Sequence, residues 1–283
     1  MGEKAMEKAW SQFSWDKKIK DHDLLFGAAL RYTFYDDNTP ATASQGANVN
    51  NPDKVWLPGV FLQDEVAVSD KHKLLMGIRY DYNSVHGNIL TPRIAYKWLI
   101  NDNNIIRLNA GTGFRVVSLF TEEHAALTGS RDVIVTQELE PERSYNANVN
   151  YIRKFYFKSG SLISLDGSAW YTHFKNQIIP DYLTNPQQII YSNLAGYAVS
   201  RGISLNFDMA FTNGFTILAG GSLLDVFSKN NIAKQKIRPL LTEKWSGTWG
   251  ISYKLNKLNL GLDYTGNIYG SMRLPRLGLS DPR

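Results

Sequence analysis

Between residues 203 and 211 the odd positions read Ile203, Leu205, Phe207, Met209 and Phe211, and the even positions read Ser204, Asn206, Asp208 and Ala210. Successive side chains point to opposite faces of an extended strand, so this spacing gives a ribbon with one apolar and one polar side. The period of two returns with Trp245, Trp249, Ile251, Tyr253 and Leu255 against Ser246, Thr248, Ser252 and Lys254, and again with Leu258, Leu260, Leu262 and Tyr264 against Asn259 and Asp263. Similar alternation covers 24–34, 73–82, 106–114, 145–151, 161–174 and 215–227, with shorter or less regular members at 60–68 and 93–99. No helical stretch competes with it, although 118–127 has room for a turn or two.

The connections carry a second regularity. Those at 100–104, 157–160 and 212–214 are tight and polar, as hairpin turns require. Those at 35–59, 115–144, 176–196 and 228–242 are long. Short and long connections in alternation predict an up-and-down barrel with short periplasmic turns and long extracellular loops. Tyr32, Phe34, Phe155, Phe157, Trp170, Tyr171, Phe211 and Phe215 stand near the expected strand ends, where an aromatic girdle meets the bilayer interface.

Alternation by itself also fits a soluble β-sandwich or propeller, whose apolar faces turn into a core. Three features favour lipid: nearly every strand alternates, the long loops fall at one end, and the second face is small and hydrophilic. Mean hydropathy of -0.29 and the lack of an apolar run of about 18 residues exclude transmembrane helices. A barrel strand shows lipid only every second residue, so its average hydropathy stays modest. The chain has no cysteine, which removes disulfides and thiolate chemistry. Its net charge of +5 is spread along the sequence, without the basic run that marks a nucleic-acid surface.

Thr91-Pro92-Arg93-Ile94-Ala95-Tyr96-Lys97-Trp98, a polar turn, and Ile106-Arg107-Leu108-Asn109-Ala110-Gly111-Thr112-Gly113-Phe114-Arg115 together resemble a stretch of TonB-dependent outer-membrane receptors. Leu139-Glu140-Pro141-Glu142-Arg143-Ser144 resembles the Leu-x-Pro-Glu element that closes the following loop in that family. Weaker resemblances are Gln63-Asp64-Glu65 with Gly77-Ile78-Arg79-Tyr80-Asp81, then Arg201-Gly202-Ile203-Ser204-Leu205, and Met272-Arg273-Leu274-Pro275. The resemblance implies an all-β, antiparallel transmembrane barrel, of which the chain holds roughly half of the ~22 strands. On this reading residues 1–283 are a partial barrel domain without plug domain or closing strands. No secretory leader is evident in the first residues, Met1 to Trp10.

The resemblance further implies a receptor of the Gram-negative outer membrane that takes up a scarce, bulky nutrient, a ferric siderophore first, with cobalamin, glycan or peptide as alternative cargoes. Outer-membrane lipid and TonB are the implied partners, TonB through an N-terminal part not found here, and no cofactor is implied. A passive pore and a barrel-type outer-membrane enzyme are the competing functions. For the enzyme we find no nucleophile elbow, phosphate loop or His-x-x-x-His pair. Adjacent carboxylates such as Asp64 and Glu65 point to opposite faces of a strand.

Two sets of candidate residues follow. Arg107, Asn109, Gly111 and Gly113 share the face assigned to the lumen, where a plug would pack; strand curvature and crowding are the competing account of the glycines. Arg115, His124, Tyr182 and Tyr191, in or beside the long loops, are the candidate ligand contacts, against the plain alternative of solvated loop surface.

Overall fold

A computed structural model describes residues 5–36, 52–115, 132–135, 139–181, 184–185, 187–232 and 234–273. In chain order the described strands are β1 (Ala5–Ile19), β2 (His22–Asp36), β3 (Asp53–Ser69), β4 (His72–Asn83), β5 (Gly87–Asn101), β6 (Asn104–Arg115), β7 (Asp132–Val135), β8 (Glu142–Tyr156), β9 (Leu162–Lys175), β10 (Ile178–Asp181), β11 (Gln188–Asn193), β12 (Gly196–Ala210), β13 (Phe215–Asn230), β14 (Gln235–Ile237), β15 (Trp245–Leu255) and β16 (Leu260–Tyr269). One turn of 3-10 helix, Asn256–Leu258, joins the last two.

The large sheet runs β1-β2-β3-β4-β5-β6-β8-β9-β12-β13-β15-β16, with β14 paired to β13, and each neighbouring pair is antiparallel. Strands that follow one another in the main path therefore lie side by side, as in an up-and-down wall. β1 and β16 form its two edges.

Register turns the alternation of single strands into a continuous surface. One row of partners reads Val66, Leu74, Tyr96, Leu108, Val149, Ala169, Ile203, Leu223 and Trp245 from β3 to β15. A row on the other face reads Gln63, Gly77, Arg93, Gly111, Asn146, Thr172 and Ser200. A slip of one residue at any pair would put one strand's polar side among its neighbours' apolar side chains. No described element packs as a second layer on the apolar face, and Leu260 there is 47% exposed. Phe207 and Trp249 lie on the same outward surface, half-buried by their strand neighbours. The sandwich alternative required these three in a dry interior.

Tight connections close the hairpins at one end. Lys20, Gly160, Gly214 and Asn259 adopt positive φ in four of them. At the other end most connections are long, and β7, β10 and β11 form a separate three-stranded sheet there, in which β11 and β7 run parallel.

The structure corrects several expectations. β4 and β5 meet at the loop end through 84–86 alone, where Asn83 Oδ1 accepts hydrogen bonds from the backbone N–H of Val85 (2.8 Å) and His86 (3.0 Å). That side-chain turn removes the need for a long connection. β1 is a full strand, although its composition alternates less cleanly. Leu258 belongs to the helical turn and not to a strand. Trp170 belongs to the inner wall and not to the outward girdle, because its partners Asn148 and Gly202 have inward parity and Gly202 leaves space for the indole. Residues 118–127 lie outside the described residues.

Candidate functional site

The polar face of the wall is a network of side chains spanning neighbouring strands. Asn109 Nδ2 donates to Asn148 Oδ1 at 2.8 Å, and Arg107 Nη1 donates to Asn150 Oδ1 at 3.4 Å. Asn150 Nδ2 in turn donates to Asp166 Oδ1 (2.6 Å) and Ser168 Oγ (3.0 Å), carrying the chain of contacts from β6 through β8 to β9. Asparagine at 146, 148 and 150 comes from the period of two, so all three face inward together.

Arg93 shows why the glycines stand where they do. Its guanidinium crosses β4 and donates to Gln63 Oε1 on β3. Gly77 lies beneath it: a Cβ there would stand 3.0 Å from Arg93 Nε and 3.1 Å from its Cγ. A Cβ at Gly111 would meet Arg93 Cβ and the Pro92 carbonyl oxygen at 3.3 Å, and one at Gly113 would meet Ser144 Oγ at 2.9 Å. The groups crowding Gly111 and Gly113 thus come from the sheet itself. Arg79 grips Asp81 on the same strand with two hydrogen bonds, of 2.7 and 2.6 Å, and lies over the Phe61 ring. Asp81 is fully buried, and an ionised carboxylate tolerates that only with such a partner. Gln12, Phe61, Gln63, Arg79, Thr91 and Arg93 help line a cavity of about 340 Å³ on this side of the wall.

At the loop end a second assembly is built around Glu142. Arg115, the last residue of β6, donates Nε to Glu142 Oε2 (2.7 Å) and Nη2 to Glu142 Oε1 (3.2 Å). Glu142 Oε1 also accepts the backbone N–H of Ile178 at 2.8 Å, which ties the wall to β10. Asn193 extends the tie: its Nδ2 donates to the carbonyls of Glu140 (3.0 Å) and Asn176 (2.8 Å), and its Oδ1 accepts the Glu140 N–H (2.8 Å). Beneath these bonds Ile178, Ile189 and Tyr191 form a buried cluster with Leu139 against it.

The structure therefore brings Arg107, Asn109, Gly111 and Gly113 together on the inner wall and puts Arg115 at the top of the same face. Tyr191 is 3% exposed and belongs to the interior of the small sheet. His124 and Tyr182 lie outside the described residues. Sequence reasoning missed Asp81 and Glu142 as buried carboxylates, each held by an arginine, Arg79 and Arg115. The signal was present in their inward parity and in glycine opposite Asp81 at Gly59. Among the described residues no three His, Asp or Glu side chains are grouped as metal ligands.

A family model described as "TonB dependent receptor-like, beta-barrel" matches residues 6–276. The iron-regulated outer membrane virulence protein of Vibrio cholerae is 24% identical over 198 residues, which is 69% of this chain and 29% of that protein. Among solved structures, the ferric enterobactin receptor of Pseudomonas aeruginosa superposes with a TM-score of 0.73 at 13% identity, covering 94% of this chain and 42% of that one. The siderophore receptor PirA of the same organism gives 0.70 at 14% identity, covering 94% and 46%. The iron transporter FrpB of Neisseria meningitidis gives 0.69 at 16% identity, covering 93% and 42%. The chain thus spans less than half the length of each of these relatives, and its sheet matches one part of their folds. A continuous apolar outer face, a hydrogen-bonded polar inner face, long connections gathered at one end and a family match across nearly the whole sequence lead to one assignment: this chain belongs to the TonB-dependent receptor β-barrel family of the Gram-negative outer membrane.

Proposed function

We propose that residues 1–283 form part of the barrel of a receptor that imports an iron-loaded siderophore, using energy delivered through TonB. The observation that carries this reading is the paired architecture of the inner face: a polar wall leading up to a structured loop sheet, joined through Arg115 and Glu142. A passive pore has no need of a folded platform at its mouth, whereas a receptor must hold loops in place to clasp its cargo. The iron-regulated relative and the siderophore-receptor folds support iron over other cargoes.

In this reading Arg107, Asn109, Gly111 and Gly113 face the plug that fills the lumen: Arg107 and Asn109 present polar side chains to it, and the two glycines put no side chain between wall and plug. Arg115, His124, Tyr182 and Tyr191 serve the cargo end. Arg115 orders the entrance through Glu142, Tyr191 supports the small sheet from within, and His124 and Tyr182 meet the ligand. Transport needs no covalent chemistry from these residues.

The test is uptake of radio-iron supplied as a panel of ferric siderophores, in an iron-starved host with the gene deleted, then restored, with and without TonB. Uptake that requires both the gene and TonB is the expected result. Unchanged iron uptake on deletion, or restored uptake without TonB, overturns the proposal. TonB-dependent uptake of labelled cobalamin, glycan or peptide in parallel assays, without gene-dependent iron uptake, reassigns the cargo.

A further inference from the structure

At the loop end of the outward face, register places Arg143, Lys175, Tyr197, Lys229 and Lys236 in one row, each paired with the next, across β8, β9, β12, β13 and β14. The four cations come from four different strands, so no local run of basic residues reveals them. All four are exposed. Among the described residues Arg143, Lys175 and Lys229 have no ion-pair partner, and Lys236 reaches Asp225 at 4.0 Å. Asp225 is itself held by Arg201, with contacts of 3.1 and 2.9 Å, so the cluster keeps a large positive excess.

The height of the row is informative. Arg143, Lys175 and Lys229 stand about 13 residues from the turn ends of their strands, which at ~3.3 Å per residue and ~40° tilt is about 33 Å. That distance carries the row just beyond an apolar band of ~25 Å, at headgroup level on the extracellular side. Beneath it lie rings suited to an interface: His173 stacks on Tyr197 at 5.2 Å, Lys175 stands over Tyr145 at 5.5 Å, and Lys236 stands over Phe227 at 3.8 Å. On β2 to β6 the outward residues toward the loop ends of the strands include Phe34, Trp56, Tyr82, Leu90 and Phe114, and Lys54 is the single cation there among the described residues. The positive charge is therefore concentrated on one flank of the wall.

We propose that this row is a binding site for the phosphate groups of an anionic glycolipid in the outer leaflet. Cations of the row stand one or two strands apart, about 4.8 or 9.6 Å, a spacing that matches several phosphate oxygens on one or two headgroups, while the rings below contact sugar and upper acyl chain. The proposal rests on the outward face meeting lipid and not on the identity of any cargo.

The test is retention of lipopolysaccharide by the full-length receptor, purified from outer membranes and measured as lipid phosphate per protein. The combined variant R143Q, K175Q, K229Q and K236Q is expected to retain about tenfold less than the unaltered protein. A control with the same charge change at the turn end, K20Q, K71Q, K158Q and K257Q, is expected to retain the normal amount. Equal retention by the row variant, equal loss in the control, or equal retention of dephosphorylated lipid A overturns the proposal. Displacement of the lipid by millimolar inorganic phosphate would assign the row to free phosphate and also overturn it. Salt titration of the unaltered receptor gives an independent reading should the fourfold variant misfold. Retention falls as sodium chloride rises, and salt-insensitive retention counts against the site.

Discussion

Arg115 and Glu142 form a two-point ion pair where β6 and β8 leave the membrane wall, and the same carboxylate accepts the backbone N–H of Ile178. Glu142 has 8% of its side chain exposed and Arg115 has 55%, so the acid is the anchor and the guanidinium its solvent-facing clamp. Replacing Glu142 by Ala removes both of its contacts with Arg115 and takes the side-chain acceptor from the Ile178 N–H. We expect local opening of β10 and β11 to become easier by roughly 1.5–3 kcal/mol, the range for a hydrogen bond to a charged group. Faster amide exchange at 178–181 and 188–193, with the large sheet unaffected, checks this; unaltered exchange would remove Glu142 from that role.

The small sheet has its own core in Ile189, 1% exposed, and Tyr191. Truncation of Ile189 to Ala opens a cavity that costs about 2–5 kcal/mol. The loss falls on the loop sheet, because the wall is held by its own strand ladders. Protease treatment of intact cells is expected to cut the variant in the 176–195 connection while the barrel band survives. Resistance equal to that of the unaltered protein would mean that the sheet is held from elsewhere.

Gly77 gives Arg93 its path to Gln63. In G77A the new methyl group stands against the flexible end of Arg93, which can swing aside, so the fold persists and the Arg93–Gln63 bond is lost. In G77V the branched side chain also meets the neighbouring strands, and overpacking adds about 1–3 kcal/mol. Urea titrations of refolded protein should rank the unaltered protein, alanine and valine in descending stability. A valine variant as stable as the unaltered protein would contradict this crossing geometry.

Leu205 and Ser204 are sequence neighbours with opposite solvents. Leu205 points outward between Gly167 and Gly221, and Ser204 points inward between Ser168 and Ser222. L205R is expected to lose about 2–4 kcal/mol of folding free energy in bilayers, the cost of arginine on the lipid face near the midplane. S204R meets polar neighbours and is expected to lose much less. Equal penalties in vesicle-folding titrations would mean that the two faces do not see different media.

Much of the wall was legible from residues alone, because a strand in lipid must alternate and this sequence does so from Leu24 to Tyr264. Parity alone also puts Arg107, Asn109, Gly111 and Gly113 on one face of their strand. The 84–86 connection was harder to read, since a single side chain, Asn83, does the work of a long loop. Trp170 was misplaced for a related reason: bulk suggested an interface, whereas its parity and the glycine at 202 decide the face. The small sheet was hidden in segments that read as loops, because its strands are short and pair between separate connections.

Sequence by itself determined the principal strands of the large sheet from β2 to β16, their two-faced character and the likeness to the family, since these depend on the order of side chains along one ribbon. Tertiary structure decided which residues from different strands become neighbours. The Arg93 crossing, the Arg115–Glu142 anchor and the basic row from Arg143 to Lys236 exist only through register, and hydrogen-bonded pairing sets register between segments far apart in the chain.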